Sequence, residues 1–159
     1  MTIDQKARRS CVECSAEYVG PLACPKCGAP GEPLPSAPPV VFVFEGRPMS
    51  WARTATHNGR RLKPKRLRVY QRRIALQGAA VLLGRRDWPG DCPDTRFRVR
   101  AQFYLPDRRR CDLDNLIKAI ADALEGIAWR NDHQIDELIA EKSHGCDGAR
   151  SVVQVEVIE

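Results

Sequence analysis

The chain has 159 residues, 26 Lys or Arg against 20 Asp or Glu, and a formal net charge of +6. Hydrophobic residues make up 43% and charged residues 29%, the balance of a chain that builds one globular core with room for a small appendage. No apolar run approaches the ~20 residues that cross a bilayer, and the opening MTIDQKARRS has no apolar segment of a secretory leader, so a cytoplasmic protein without a membrane partner is expected.

Three zones follow in chain order. Residues 1–28 hold two C-x-x-C units, Cys11-Val-Glu-Cys14 and Cys24-Pro-Lys-Cys27, nine residues apart. Each unit lets two thiolates grip one ion from a tight turn, and two units complete a tetrahedral set for which Zn²⁺ is the usual ion. The seven cysteines, an odd number without an export signal, favour metal over disulfides. A segment this short cannot bury a core, so a structural zinc would supply its folding energy. A redox role for one C-x-x-C ranks last, because the βαβ context is missing. Cys92, Cys111 and Cys146 have no ligand spacing and read as free thiols. Residues 29–39 belong to a run, GAPGEPLPSAPP, with five prolines, which reads as an extended linker.

From residue 40 to 159 the pattern is that of a folded domain. Val40–Phe44 is a short apolar run, read as a buried strand. Residues 46–63 read as an Arg-rich loop. Pro64 suits the first turn of a helix running to Leu83, with Leu67, Tyr70, Ile74, Val81 and Leu82 on one face. The breakers Gly84, Pro89, Gly90 and Pro93 mark a loop. Phe97, Val99, Ala101, Phe103 and Leu105 then alternate with polar residues, the clearest strand in the chain. A second helix is read over 112–126, with Leu113, Leu116, Ile117, Ile120, Leu124 and Ile127 as its stripe and Gly126 near its end. WRND turns the chain. Residues 134–142 and 151–158 read as two strands joined in hairpin fashion by SHGCDGAR. The order β-α-β-α-β-β predicts an α+β fold with a mixed sheet and two helices.

Two features carry chemistry. From Gly46 to Arg73 there are ten Lys or Arg and no acid. Arg47, Arg53, Arg60, Arg61, Lys63 and Lys65 fall in this run, and Arg108, Arg109 and Arg110 form a second basic cluster. Such surfaces neutralise phosphates, and interleaved aromatics such as Trp51 can stack on bases. Directly after the second cluster, residues 112–118 read Asp-Leu-Asp-Asn-Leu-Ile-Lys. Asp112 and Asp114 straddle the helix start, and Lys118 shares a face with Asp114 at i+4. Asp132 reaches the same spot if its turn folds back. Three carboxylates are hard oxygen ligands suited to Mg²⁺, with Lys118 placed to stabilise developing charge. The plainer alternative makes Asp112 an N-cap, Asp114–Lys118 a surface ion pair and Asp132 a turn residue. Spacing alone leaves both open; the basic surroundings favour a site.

The run PDRRRCDLDNLIKAIADALEGIAWRNDHQIDELIAEK, residues 106–142, resembles the RusA family of Holliday junction resolvases, common in prophages. The resemblance is looser over 40–105 and 150–158. It implies that Asp112, Asp114 and Asp132 bind a divalent metal, that Lys118 is essential, and that a homodimer cuts four-way DNA junctions in paired nicks. The family often has Asp-Asp where this chain has Asn131-Asp132. The arm, 1–39, lies outside the pattern; it would add DNA contacts or engage a recombination or replication protein. The expectation is therefore a Mg²⁺-dependent endodeoxyribonuclease. The alternative is a non-enzymatic zinc-ribbon DNA-binding protein with a dimerising C-terminal domain.

Overall fold

The computed structural model describes residues 8–11, 14–15, 17–19, 26–27, 31–33, 37–51, 55–57, 60–85 and 87–158. The chain divides into two units, Met1–Ser36 and Ala37–Glu159. In the first, β1 (Arg8–Cys11) pairs antiparallel with both β2 (Glu17–Val19) and β3 (Gly31–Pro33). The last of these lies within the stretch that composition assigns to the linker.

The second unit is built on a four-stranded sheet. Its strands are β4 (Val40–Glu45), β7 (Arg96–Leu105), β8 (Ile135–His144) and β9 (Arg150–Ile158). Alternation decides which face is buried. Val40, Phe42 and Phe44 of β4, the five alternating apolar residues of β7, and Val153 and Val155 of β9 turn to one side and are nearly inaccessible. Arg98, Arg100 and Gln102 take the other side of β7. The helices α1 (Lys65–Leu82) and α2 (Leu113–Leu124) supply the second layer of the core. Pro64 stands at the N-cap of α1. The mixed sheet with two helices is the α+β architecture expected from the pattern. Among the described residues no helix is long and apolar enough to cross a membrane.

Four details differ from the sequence reading. The strands β8 and β9 do not form a hairpin: the order is β4-β9-β7-β8, so β7 lies between them. β7 is the longest uninterrupted alternation, and the centre of the sheet is where a fully buried row contributes most. Its partner β8 arrives through α2 and so runs parallel to it, as a crossover connection requires. Residues 145–149 then step across the end of β7, a span of about 10 Å for two strand spacings. The backbone N–H of Cys146 donates to the Leu105 carbonyl at 3.0 Å, and Gly145 takes the left-handed φ of 70° that this reversal requires. Second, the basic loop contains a small hairpin, β5 (Ala55–His57) with β6 (Arg60–Leu62). Third, α2 spans 113–124 rather than 112–126. Fourth, Val81 is 43% exposed rather than a core residue, and Gly78 occupies the buried stripe instead.

Gly78 explains how closely the helices approach. A methyl group built there would sit 2.7 Å from Leu124 Cδ2, with Ile127 and Phe42 next nearest. Only a missing side chain leaves room for Leu124. Gly78→Val is therefore expected to lower the unfolding free energy by about 1–3 kcal/mol through overpacking, read by urea denaturation of the full chain.

Candidate active site

The loop that delivers Asp112 is fixed from three sides. Asp107 is its hub. Its carboxylate accepts both arms of the Arg47 guanidinium, at 3.0 and 3.1 Å, and the backbone N–H of Arg109. Desolvation works against the charge, yet the Arg109 N–H and the Arg47 and Arg109 guanidinium groups outweigh it and hold the carboxyl below its ordinary range. The Asp107 carbonyl meets the His144 ring at 2.9 Å, and Lys142 Nζ donates to the Cys111 carbonyl at 2.6 Å. The end of β8 thus carries two basic side chains to the start of α2. Together Arg108, Arg109, Arg110, Cys111, Asp112, Lys142 and His144 line an open polar groove of about 430 Å³.

Asp112 is in the N-cap position of α2, but its side chain makes no capping hydrogen bond; its neighbour Asn115 donates to it at 3.4 Å. Asp114 lies in the first turn and is exposed. Among the described residues neither carboxylate has an ion-pair partner within 4.0 Å. Lys118 does not pair with Asp114 either; its ammonium sits 5.2 Å from the centre of the Trp51 ring, a cation–π contact. The Trp51 backbone N–H in turn donates to the Asn115 carbonyl at 2.7 Å. The plainer roles for Asp112, Asp114 and Lys118 are thus left unfilled, with both carboxylates beside the positive end of a helix dipole.

Asp132 is placed elsewhere. It opens a single 3-10 turn, Asp132–Gln134, that leads into β8 at the end of the sheet where β7 begins. Its Oδ1 accepts from the indole N–H of buried Trp129 at 2.7 Å. Asp112 and Asp114 lie at the opposite end of α2, whose twelve residues measure about 18 Å. The turn does not fold back, and among the described residues no three His, Cys, Asp or Glu side chains gather closely enough to hold an ion. Within one copy of the chain Asp112, Asp114 and Lys118 share the N-cap and first two turns of α2, and Asp132 lies beyond its other end.

The turn is nevertheless built with care, and Gln134 is what builds it. Its side chain is fully buried. The amide oxygen accepts from the backbone N–H groups of Arg130 and Asn131, and the amide nitrogen donates to the carbonyls of Cys92 and Thr95. With Asn131 it forms a capping box.

The basic residues divide into those already engaged and those open. Arg47 is held by Asp107, and Lys63 by Asp122 at 2.9 Å and Gln71 at 3.3 Å. Arg109 pairs with Asp107 at 3.4 Å but is otherwise exposed, as are Lys65, Arg108 and Arg110. Arg53 and the side chains of Arg60 and Arg61 lie outside the described residues. Trp51 packs against the core instead of standing free for a base. Lys142 and His144 were not singled out by sequence; period-two alternation along β8 from Leu138 would have put both on one face, given β7 as the neighbouring strand. In the first unit, the sulfurs of Cys14 and Cys27 approach to 3.7 Å, while Cys24 and the side chain of Cys11 lie outside the described residues.

A family model described as Endodeoxyribonuclease RusA matches residues 45–156, well over half of the chain. No curated protein matches it. Gln134→Leu keeps the volume but strands two backbone donors and two carbonyls. The expected cost is about 2–4 kcal/mol, with hydrogen exchange of residues 129–135 rising ahead of the rest of the sheet.

Proposed function

The chain belongs to the RusA endodeoxyribonuclease family, and on that premise we propose that it hydrolyses phosphodiesters at four-way DNA junctions with Mg²⁺ held by Asp112, Asp114 and Asp132. The observation that carries this reading is Asp112, which lines a groove formed otherwise by Cys111 and five basic residues, with Asp114 in the first turn behind it; both are exposed, Asp112 makes no capping hydrogen bond, and neither has an ion-pair partner among the described residues. Carboxylates beside a phosphate-binding surface repel the substrate unless a divalent cation sits between them. Their hard oxygens suit that ion, and Trp129 orients the carboxylate of Asp132 as an outer-sphere donor does.

The remaining roles follow from position. Arg108, Arg109, Arg110, Lys142 and His144 hold the phosphate backbone of the cleaved strand. Lys118, steadied over Trp51, faces the charge that grows on the phosphate in the transition state. The bound cation would polarise the phosphoryl group and lower the pKa of water. Because α2 keeps Asp132 away from its partners within one copy, the full acidic set needs two copies: Asp112, Asp114 and Lys118 from one, Asp132 from the other. A two-fold dimer then has two such sites, one for each strand to be nicked.

Asp114→Asn is expected to keep junction binding and lose cleavage by about 10²–10³-fold, measured on a labelled four-way junction with Mg²⁺. Mixing Asp114→Asn with Asp132→Asn restores one intact site in each mixed dimer, so nicking of one of the two strands returns. Sites confined to single chains would show no such rescue.

For the arm, the reading is a structural zinc held by Cys11, Cys14, Cys24 and Cys27. Thiolates at ~2.3 Å from a tetrahedral zinc stand about 3.8 Å apart, close to the Cys14–Cys27 separation of 3.7 Å. The register Cys11↔Gly31 also sets the first C-x-x-C beside the chain leaving the second. The purified full-length protein should carry one zinc per chain by elemental analysis. Cys24→Ser with Cys27→Ser should remove it and leave the thermal midpoint of the second unit unchanged.

A further inference from the structure

We infer that Trp51 is a positioning residue for Lys118: its indole face holds the ammonium away from the neighbouring carboxylates and keeps it free for a phosphate. This rests on the role proposed above for Lys118 and adds the residue through which that role is secured.

Lys118 has two acidic neighbours on its own helix. Asp114 precedes it by four residues and Asp122 follows it by four, the spacing at which opposite charges meet on a helix surface. Neither holds it. Asp122 is taken by Lys63 at 2.9 Å, and the Gln71 amide donates to the same oxygen at 3.4 Å. Asp114 has no ion-pair partner among the described residues, yet the flexible stem of Lys118 does not turn to it. The ammonium stands instead over the Trp51 ring, 5.2 Å from its centre.

Trp51 can set that direction because it is itself fixed. Its backbone N–H donates to the Asn115 carbonyl at 2.7 Å, and its ring packs against the core. The chain that leaves Trp51 is tied back to α2 at Lys63, through Asp122. Asn115, Lys118 and Asp122 follow the i, i+3, i+7 spacing of one helix face. The basic segment between Trp51 and Lys63 is thus anchored on either side of Lys118, on the face that carries it.

The indole N–H shows what the ring supplies. Nε1 is buried and has no hydrogen-bond partner among the described residues, so no hydrogen bond orients the ring. A phenylalanine would fill the same apolar place without stranding a donor. What tryptophan adds is the strongest π face for a cation. Without it Lys118 is left to pair with Asp114, which takes a cation from the phosphate and a carboxylate from the metal together.

The test uses the full chain. In the parent, the ring current of Trp51 should move the Lys118 ε-proton resonances upfield, assigned by their loss in Lys118→Arg. Trp51→Leu should return them to the ordinary lysine position, and Trp51→Phe should keep part of the shift. Single-turnover cleavage of a labelled four-way junction with Mg²⁺ should slow by about tenfold in Trp51→Leu, and by less in Trp51→Phe. Junction affinity should stay within about twofold of the parent in both, as expected when only the transition state loses a contact. Fluorinated tryptophans placed at position 51 alone keep the side-chain shape and weaken its π face. The rate should then fall stepwise with fluorine number, a result that stands even where Trp51→Leu fails to fold. In a Lys118→Met background, Trp51→Leu should slow residual cleavage no further, because it acts through Lys118. Unshifted ε-protons in the parent, equal losses in Trp51→Phe and Trp51→Leu, a rate indifferent to fluorination, or additive losses with Lys118→Met would overturn the proposal. Shifted ε-protons in a parent chain that cleaves no junction would refute the proposed function itself, and with it any catalytic part for Trp51.

Discussion

A helix cannot be shortened without unwinding it, and α2 is the fixed rod around which the acidic chemistry of this protein is arranged. Its twelve residues hold the Asp112 end and the Asp132 end about 18 Å apart. Neither end can drift. Asp107, Lys142 and His144 clamp the loop at one, and Gln134 with Trp129 clamps the turn at the other. Flexible segments would let one chain gather its own carboxylates. Rigid ones exclude it, and on the function proposed above a second copy would have to supply the third carboxylate. On that reading activity would depend on association.

The same economy governs the cations. A run of ten basic residues without an acid looks like a uniform polyanion-binding surface, but the fold spends part of it internally. Arg47 holds the loop through Asp107, and Lys63 ties the start of α1 to Asp122 on α2. On the open face of the sheet, Arg98 bridges Glu137 of β8 and Glu156 of β9, so three adjacent strands share one guanidinium. What remains for a ligand is narrower: the exposed Arg108 and Arg110, with the donors that Arg109, Lys142 and His144 have left beyond their contacts to the loop.

Much of this was legible in the amino-acid pattern. Period-two alternation over 97–105 gave the central strand, and the apolar stripe of 113–124 gave α2, because both elements bury one face against the same core. Asp112, Asp114 and Lys118 were legible as a group because one helix holds all three. Asp132 was not placed correctly, because a turn's direction depends on strand order, and order is a long-range property. The same ignorance produced the expected β8–β9 hairpin: a short glycine-bearing connection reads as a tight turn unless one knows that another strand lies between. Gly78 was missed as a core position because a residue without a side chain contributes nothing to an apolar count, although its absence of bulk is what the helix contact uses.

The place of β9 has a consequence for how the chain matures. In the sheet β4 touches only β9, which is made after the other three strands, at residues 150–158. Phe42 and Phe44 therefore have no strand to lie against until β9 has been synthesised. The first strand of this sheet must wait for the fourth, so closure is a late event of high contact order. Without residues 150–158, β4 would have no strand partner and the β7–β8 pair would keep one flank open, raw apolar surface of the kind that quality control intercepts.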